Sequence, residues 1–466
     1  MKTAYVYDMM KKNDTKGSLL MMNLHFLRQI WRLGSCLVLL LALCMFVMTP
    51  ASATVRTVTA TGEYTMGEAE TMLVAKERAL EDAKRRAAEQ VGVYVTSSST
   101  VEGLALTQDT VTTMTASFLR VTGTPRYETA AVGDALAVTV RATITAEADD
   151  SDLQRIRQMT QEPSRVAAYQ QLTASYARLQ REAAVLQKAF LSARTPEEKQ
   201  EIKEALHKNE AAYQSYLLLQ EAYAHPEKEA ELLDRALTLY SANVPAYAAR
   251  AAHRLGTDDL AGCLADTEAG RKALTAAMKK GEGADYSADD AHMMEFLMRG
   301  IAGSARFLQG NTDGALQDFR AADKLAEKFD LRTVRPDIYD HFLFDYGGAE
   351  ILKEDYKAAE ALYTRLIERL DVPAPKLPAP PLPPAGDPQT TPPAAAKGAP
   401  PAAPEKERNL LHANAYLYRA IARSQQGNKE GAKKDLLHVQ EVLQQLPKED
   451  QKQVQEVLDA LPSLQK

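Results

Sequence analysis

The side chains able to do acid, base, metal or nucleophile chemistry are few in this chain and far apart, with eight histidines and three cysteines in 466 residues. His207, His225, His253, His292, His341, His412 and His438 are too widely separated to converge through helix or strand periodicity, and each reads as a surface or packing residue. No histidine pair flanks a glutamate, no glycine loop ends in a phosphate-cradling lysine, and no serine stands between glycines at a strand-to-helix elbow. Cys263, within Leu260-Ala-Gly-Cys-Leu-Ala265, is a small apolar thiol in a helical pattern and reads as core filler. The stretch Gly281 to Asp290 offers carboxylates suited to calcium but without the regular spacing of a calcium loop. Ser287 is expected instead to cap a helix entering His292, with Asp290 completing the box. The residues therefore nominate no catalytic group, no cofactor and no metal site, and the expectation is a protein that binds without turning anything over.

Binding chemistry needs elements to present it, and composition limits what these are. At 45% hydrophobic and 25% charged residues, the chain is ordinary globular protein, longer than one core normally fills. Its 56 basic and 62 acidic side chains give a net charge of -6 with no long basic block, which argues against nucleic acid as a partner. Three thiols can build neither a disulfide framework nor a cysteine quartet around zinc.

Basic residues from Lys2 to Arg32 precede an uninterrupted apolar run, Cys36 to Met48, followed by Thr49-Pro50-Ala51-Ser52-Ala53. This is the pattern of a signal peptide over residues 1–53, cut after Ala53, too short for a permanent bilayer span. A periplasmic or otherwise extracytoplasmic location is expected, with membrane contact only through that segment if it is uncut.

Residues 54–150 read as a small α/β domain. Val55 to Tyr64 is a strand with breaks at Gly62 and Gly67, and Glu68 to Val91 is an amphipathic helix whose buried stripe is Met72, Ala75, Ala79, Leu80, Ala83, Ala87 and Val91. Lys76, Arg78, Glu81, Lys84, Arg85 and Glu89 take the other sides, Gly92 is expected to stop the helix, and Val93 to Val101 reads as extended. A second helix is expected from Leu106 to Leu119. Leu136 to Thr145 alternates as a half-buried strand, paired across Val132-Gly133-Asp134 with Arg120 to Ala131. Gly62, the string Ala75 to Ala87, Glu89-Gln90-Val-Gly92-Val93-Tyr-Val95, Ser97 to Val101, Leu106 and Asp109 resemble the amino-terminal domain of the flagellar assembly protein T family, shared with small outer-membrane lipoproteins. The resemblance implies a periplasmic, non-catalytic α/β binding module, one that in the flagellar case helps build rings around the motor.

The rest reads as helix. Over residues 151–225, Leu172, Tyr176, Leu179, Ala183, Leu186 and Phe190 form a heptad seam, and Thr195-Pro196-Glu197-Glu198 opens a second long helix, giving a hairpin that spaces two domains or, alternatively, a dimerising coiled coil. In residues 226–372 and 405–466, three sets resemble the tetratricopeptide repeat: Gly303, Phe307, Gly310-Asn311, Ala315, Phe319 and Ala322; Gly347, Asp355-Tyr356, Ala359 and Tyr363; Tyr416, Ala420, Gly427-Asn428, Ala432 and Leu436. Ala236 to Leu239, Pro245 to Tyr247 and Leu255 to Ala261 are a weaker fourth. Between them, residues 373–404 hold 13 of the 22 prolines and read as a disordered insertion.

The expected fold class is multidomain: a helix-covered antiparallel sheet, then a helical hairpin and a tetratricopeptide-like α-solenoid. The expected function is a scaffold or adaptor holding a protein or peptide on the concave face of that superhelix, with Tyr247, Phe307, Tyr339, Phe342, Tyr346 and Tyr416 as partner-binding candidates. Two alternatives are an accessory of a flagellar or other envelope ring, and an envelope enzyme whose site forms between the domains.

Overall fold

The computed structural model describes residues 55–96, 106–132, 137–279, 286–371 and 403–444, with 448, 451–452 and 454–455. The leader expected over 1–53, the turn at 133–136, the glycine-rich part of the acidic stretch (281–285) and almost all of the proline-rich segment lie outside the described residues.

Strands β1 (Val55–Thr65), β2 (Arg120–Val132) and β3 (Ala137–Asp149) form one antiparallel sheet in the order β1-β3-β2. The register pairs Val55 with Asp149 and Thr65 with Thr139, while β2 shifts between Thr122 and Arg126, where Gly123 is left-handed and Pro125 has no amide hydrogen to give. Alternation puts Val140, Ala142, Ile144 and Ala146 on one face, and these pack against Ala75, Ala79, Ala83 and Ala87 of helix α1 (Met72–Thr96). Threonines fill the other face, with hydroxyl pairs Thr61–Thr143 at 2.9 Å and Thr65–Thr139 at 2.8 Å. Two local expectations are corrected. Gly62 is not a break but lies inside β1, where its missing side chain lets α1 approach. Gly92 does not end α1: it lacks the left-handed backbone of a stop and sits against Val111 and Thr115 of helix α2 (Gln108–Phe118), so residues 93–96 are helical rather than extended.

Asp149 caps helix α3 (Asp150–Met159) in a reciprocal box with Asp152. The long helices α4 (Pro163–Ser192) and α5 (Pro196–Ala224) follow, α5 opening with the Thr195/Glu198 capping box and Pro196 in its first turn. They pack on each other, Leu172, Leu179 and Phe190 being buried along with Leu206, Tyr213 and Tyr216, and the buried Asn209 amide gives a hydrogen bond to the Leu179 carbonyl at 3.0 Å. The heptad seam is thus occupied within the chain.

Helix α6 (Glu229–Leu239) leads into four helix pairs: α7 (Val244–Gly256) with α8 (Leu260–Met278), α9 (Ala288–Leu308) with α10 (Thr312–Asp323), α11 (Pro336–Leu352) with α12 (Tyr356–Asp371), and α13 (Ala403–Gln425) with α14 (Lys429–Leu443). The first helix of each pair also packs on the first helix of the next. One turn recurs four times. Asp258, Gly310, Glu354 and Gly427 are all left-handed, at φ of 66°, 81°, 60° and 82°. The amides that follow, of Asp259, Asn311, Asp355 and Asn428, bond back to the carbonyls of Arg254, Arg306, Glu350 and Arg423 at 2.9 to 3.0 Å, the closing bond of a Schellman stop. Each of those four side chains then caps the next helix, accepting from the amides of Gly262, Gly314, Ala358 and Gly431. A helix stop and a helix start are compressed into about three residues.

Within the pairs, Gly303 makes room for the Phe319 ring and Gly347 for that of Tyr363. Arg254 pairs with Asp266, Arg306 with Asp318 and Arg423 with Asp435, always twelve residues apart, across the two helices of a pair. The aspartates are buried, Asp435 at 1% exposure, so the guanidinium is what makes their burial tolerable. The described residues therefore form a mostly helical molecule with one three-stranded antiparallel sheet, and among them no helix is long and apolar enough to cross a membrane.

Candidate functional site

The cleft that the fold builds lies between the α/β unit and the hairpin, with a volume of about 660 Å³. Three α/β elements contribute: the end of β1 with Glu63 and Tyr64, the polar side of α1 with Arg78, Glu81, Asp82 and Arg85, and the start of α2 with Asp109, Thr112 and Thr113. The opposing wall is Thr173, Tyr176, Gln180 and Gln187 of α4 with Tyr213 and Gln220 of α5. The sequence puts Arg78 on the solvent side of α1; the structure buries it to 9% exposure, because its guanidinium lies 3.6 Å from the centre of the Tyr213 ring and bonds Glu210 at 2.7 Å.

Further polar bonds hold the walls in place. Gln187 Nε2 donates to Glu70 Oε1 at 2.7 Å, the Tyr64 hydroxyl donates to the same oxygen at 2.8 Å, and Gln214 Nε2 reaches Glu77 at 3.3 Å. The Thr113 and Thr173 hydroxyls meet at 3.1 Å, and the Tyr176 hydroxyl donates to Gln220 Oε1 at 2.8 Å. Thr112 is 4% exposed, lines the cleft, and its hydroxyl oxygen has no hydrogen-bond partner.

Ionisation in the cleft is pushed away from neutrality. Burial, with the Glu70 charge second, raises Tyr64 from 10 to about 12. Burial likewise takes Tyr213 to about 12, against the opposing pull of Arg78, and holds Tyr176 well above the usual phenol range. Burial works to raise Asp82, but the Glu63 amide and the Arg85 guanidinium outweigh it and hold the carboxyl low. The hydrogen bond to Asp82 raises Arg85 in turn. These tyrosines stay neutral, Asp82 stays anionic and Arg85 cationic throughout the physiological range, an arrangement suited to recognition and ill suited to proton transfer.

The six aromatic candidates lie elsewhere. Phe307, Tyr339, Phe342, Tyr346 and Tyr416 are buried, Phe307 at 1% exposure. Phe342 packs edge-on to Phe296 and Phe319, with ring centres 5.1 and 5.6 Å apart, and Tyr339 and Tyr346 flank it in the same core. Tyr416 stacks on His438. Tyr247, half-buried, packs by its Cβ close to Gly270. Burial assigns the first five to packing, and none of the six borders the cleft. The histidines form no cluster of three among the described residues, though His412 and His438 both pack against the Tyr416 ring; His253 pairs with Glu229, His412 with Asp371 and His438 with Glu441. Among the described residues no three metal-ligating side chains cluster. Cys263 is buried between α7 and α9, with Ala251, Ile301 and Ala305. Ser287 caps α9 at the Asp290 amide, and Asp290 spends its carboxylate on Ser287 Oγ and on Gln171 of α4. The cleft residues carry no catalytic motif; Arg78, Glu81, Asp82, Arg85 and Asp109 do fall among the residues on which the sequence resemblance rests, but nothing in that pattern joins them to the opposing wall on α4 and α5.

Compared with known proteins, the chain matches no family model and no curated protein sequence.

Proposed function

We propose that this chain is an extracytoplasmic, non-catalytic adaptor, in which an α/β module like that of the flagellar assembly protein T family is held by a helical hairpin on a tetratricopeptide-like array that carries a protein partner. The observation that supports this reading best is the fourfold recurrence of one turn, with a left-handed residue, a back-bonded amide and a capping side chain at equivalent places in all four helix pairs. Such an array has signature positions that serve its own packing, leaving recognition to the surfaces between them. The charge states fixed across the cleft favour binding over turnover, which weighs against an interdomain enzyme. The leader pattern of residues 1–53 supports export. The close contact of Gly62 with the alanine stripe of α1 lies among the residues that carry the flagellar resemblance, and it favours a role beside an envelope ring as the second reading.

The test is crosslinking in intact cells, followed by purification of the tagged full chain from the envelope fraction. Covalently attached envelope proteins are the expected outcome, and flagellar basal-body proteins among them would select the ring reading. A chain found only in the cytoplasm would refute the proposal.

A further inference from the structure

We propose that the outer edge of β1, over Val55 to Thr61, pairs with the same edge of a second copy of this chain, antiparallel about Val58, so that two three-stranded sheets become one. This goes beyond the adaptor reading and does not require it.

The edge is open and unguarded. With the strands in the order β1-β3-β2, β1 has a strand on one side only among the described residues. Just past β1 the Met66 amide bonds to the Val138 carbonyl of β3 at 2.8 Å, whereas the Glu63 amide bonds to the Asp82 carboxylate of α1 at 3.0 Å. Alternation along an antiparallel ladder therefore turns the even-numbered backbone groups of β1 towards β3 and the odd-numbered ones, at Val55, Thr57, Thr59 and Thr61, outwards. Asp82 closes this edge at Glu63; short of it Val55, Thr57 and Thr59 are exposed, Val55 at 51%. The other edge is protected by the devices that stop strand addition: β2 is bulged between Thr122 and Arg126, holds Pro125 at the bulge, and carries exposed Arg126 and Glu128 beyond it. From Val55 to Thr61, β1 has no proline, no bulge and a single charge, Arg56.

The strand that matches this edge is β1 itself. Because Asp82 limits the open backbone to Val55–Thr61, a second copy laid antiparallel about Val58 meets it end to end: Thr57 opposes the second copy's Thr59, Val55 its Thr61, and Arg56 its uncharged Ala60, so no like charges face each other across the seam. The odd-numbered residues, whose amides and carbonyls point outwards, become the hydrogen-bonded pairs, and Val58 meets Val58 at the two-fold axis. The threonine face continues through the seam. Thr61 and Thr143 already share a hydroxyl contact at 2.9 Å across β1 and β3, and Thr57 and Thr59 carry the same face on to the second copy. The exposed Val55 side chain gains a cover in the second copy's Thr61. Both copies use the same short edge, so the contact closes at two and consumes it. A seam this short is at the low end of interface size, and a dimer that dissociates in the micromolar range is expected.

The experiment follows the mass of the purified full chain by sedimentation from about 1 to 100 µM, a range that brackets a micromolar dimer. The expected result is a monomer that becomes a dimer as concentration rises. The Thr59 amide points away from β3, so Thr59→Pro removes a bond of the seam and none of the ladder, and Thr59→Lys sets a charge on the edge without touching the backbone. Each should weaken dimerisation about tenfold or more while the dilute monomer keeps its melting temperature. Val58→Cys should form a disulfide-linked dimer on mild oxidation, joined residue 58 to residue 58, and Thr129→Cys, on the outward side of β2, should not. The proposal is overturned if the chain is monomeric throughout, if the dimer keeps its strength in both Thr59 variants, or if the disulfide forms at residue 129 and not at 58. A monomer that captures a strand of an envelope protein at Val58→Cys would overturn it in favour of a partner strand. Failure here with crosslinked envelope partners still recovered would remove only the dimer; a dimer here with no partner in cells would remove only the adaptor.

Discussion

At Gly62, β1 passes so close to α1 that a Cβ built on this residue would stand 2.1 Å from the Ala83 amide nitrogen and 2.4 Å from the Ala79 carbonyl oxygen. Both neighbours are backbone, which cannot rotate away, so Gly62→Ala must push strand and helix apart. A loss of about 3 kcal/mol is expected, the upper end for overpacking, read as a lower denaturant midpoint. The buried tyrosines make a second prediction at this scale. Tyr64, Tyr169 and Tyr213 are raised from 10 to about 12, burial being the main cause in each. Above pH 10 the unfolded chain gives up these protons while the folded chain keeps them, so the unfolded state binds fewer protons and stability falls as pH rises. Stability should be intact below pH 10 and lost progressively towards pH 12; a melting temperature that stays flat from pH 9 to 12 would contradict the burial described. Gly62 shows how far residue-level reading reaches. Its type was visible in the sequence, but a glycine needed for close approach and a glycine needed for a turn look the same until the partner element is placed.

The helix pairs are defined by their turns. Asp258 and Glu354 carry side chains where Gly310 and Gly427 do not, although all four backbones are left-handed. That conformation costs an ordinary residue about 1–2 kcal/mol, partly offset by the roughly 0.5–1 kcal/mol that glycine loses in ordering. Glu354→Gly should therefore stabilise the fold by about 0.5–1 kcal/mol and Gly427→Ala should destabilise it by about 1 kcal/mol. Equal and small effects at both positions, by chemical denaturation, would mean that the turns are not equivalent. At this scale the sequence was informative where local chemistry decides: the Thr195-Pro196-Glu197-Glu198 start of α5, the alternation of β3, and the Gly-Asn turns. It was less so where a tertiary partner decides. Gly92 reads as a stop until α2 packs on it, and the arginine–aspartate pairs at 254/266, 306/318 and 423/435 were legible as a twelve-residue spacing only once each residue was known to face the other helix.

For the whole molecule, the coarse class was readable from periodicity: a small helix-covered antiparallel sheet followed by a helical body. The functional surface was not. Aromatic residues were the natural candidates, because aromatics dominate binding energy, yet the helix pairs use Phe307, Tyr339, Phe342 and Tyr346 to fill their own core. The cleft arises from residues of β1, α1, α2, α4 and α5, scattered over more than 150 positions, and no linear pattern joins them. The hairpin is what assembles them. It touches the α/β unit through Arg78–Glu210 and Gln187–Glu70, and the helix pairs through Gln171–Asp290 and Tyr216–Tyr286. The central claim, that the helix pairs carry a protein partner outside the cytoplasm, is tested most directly by photo-crosslinking residues placed in the full chain in living cells, at exposed Leu437 on α14 and exposed Lys357 on α12, with buried Phe307 as the control. The account predicts envelope proteins attached at one or both exposed sites and none at Phe307. Attachment at neither exposed site, or only to cytoplasmic proteins, would contradict it.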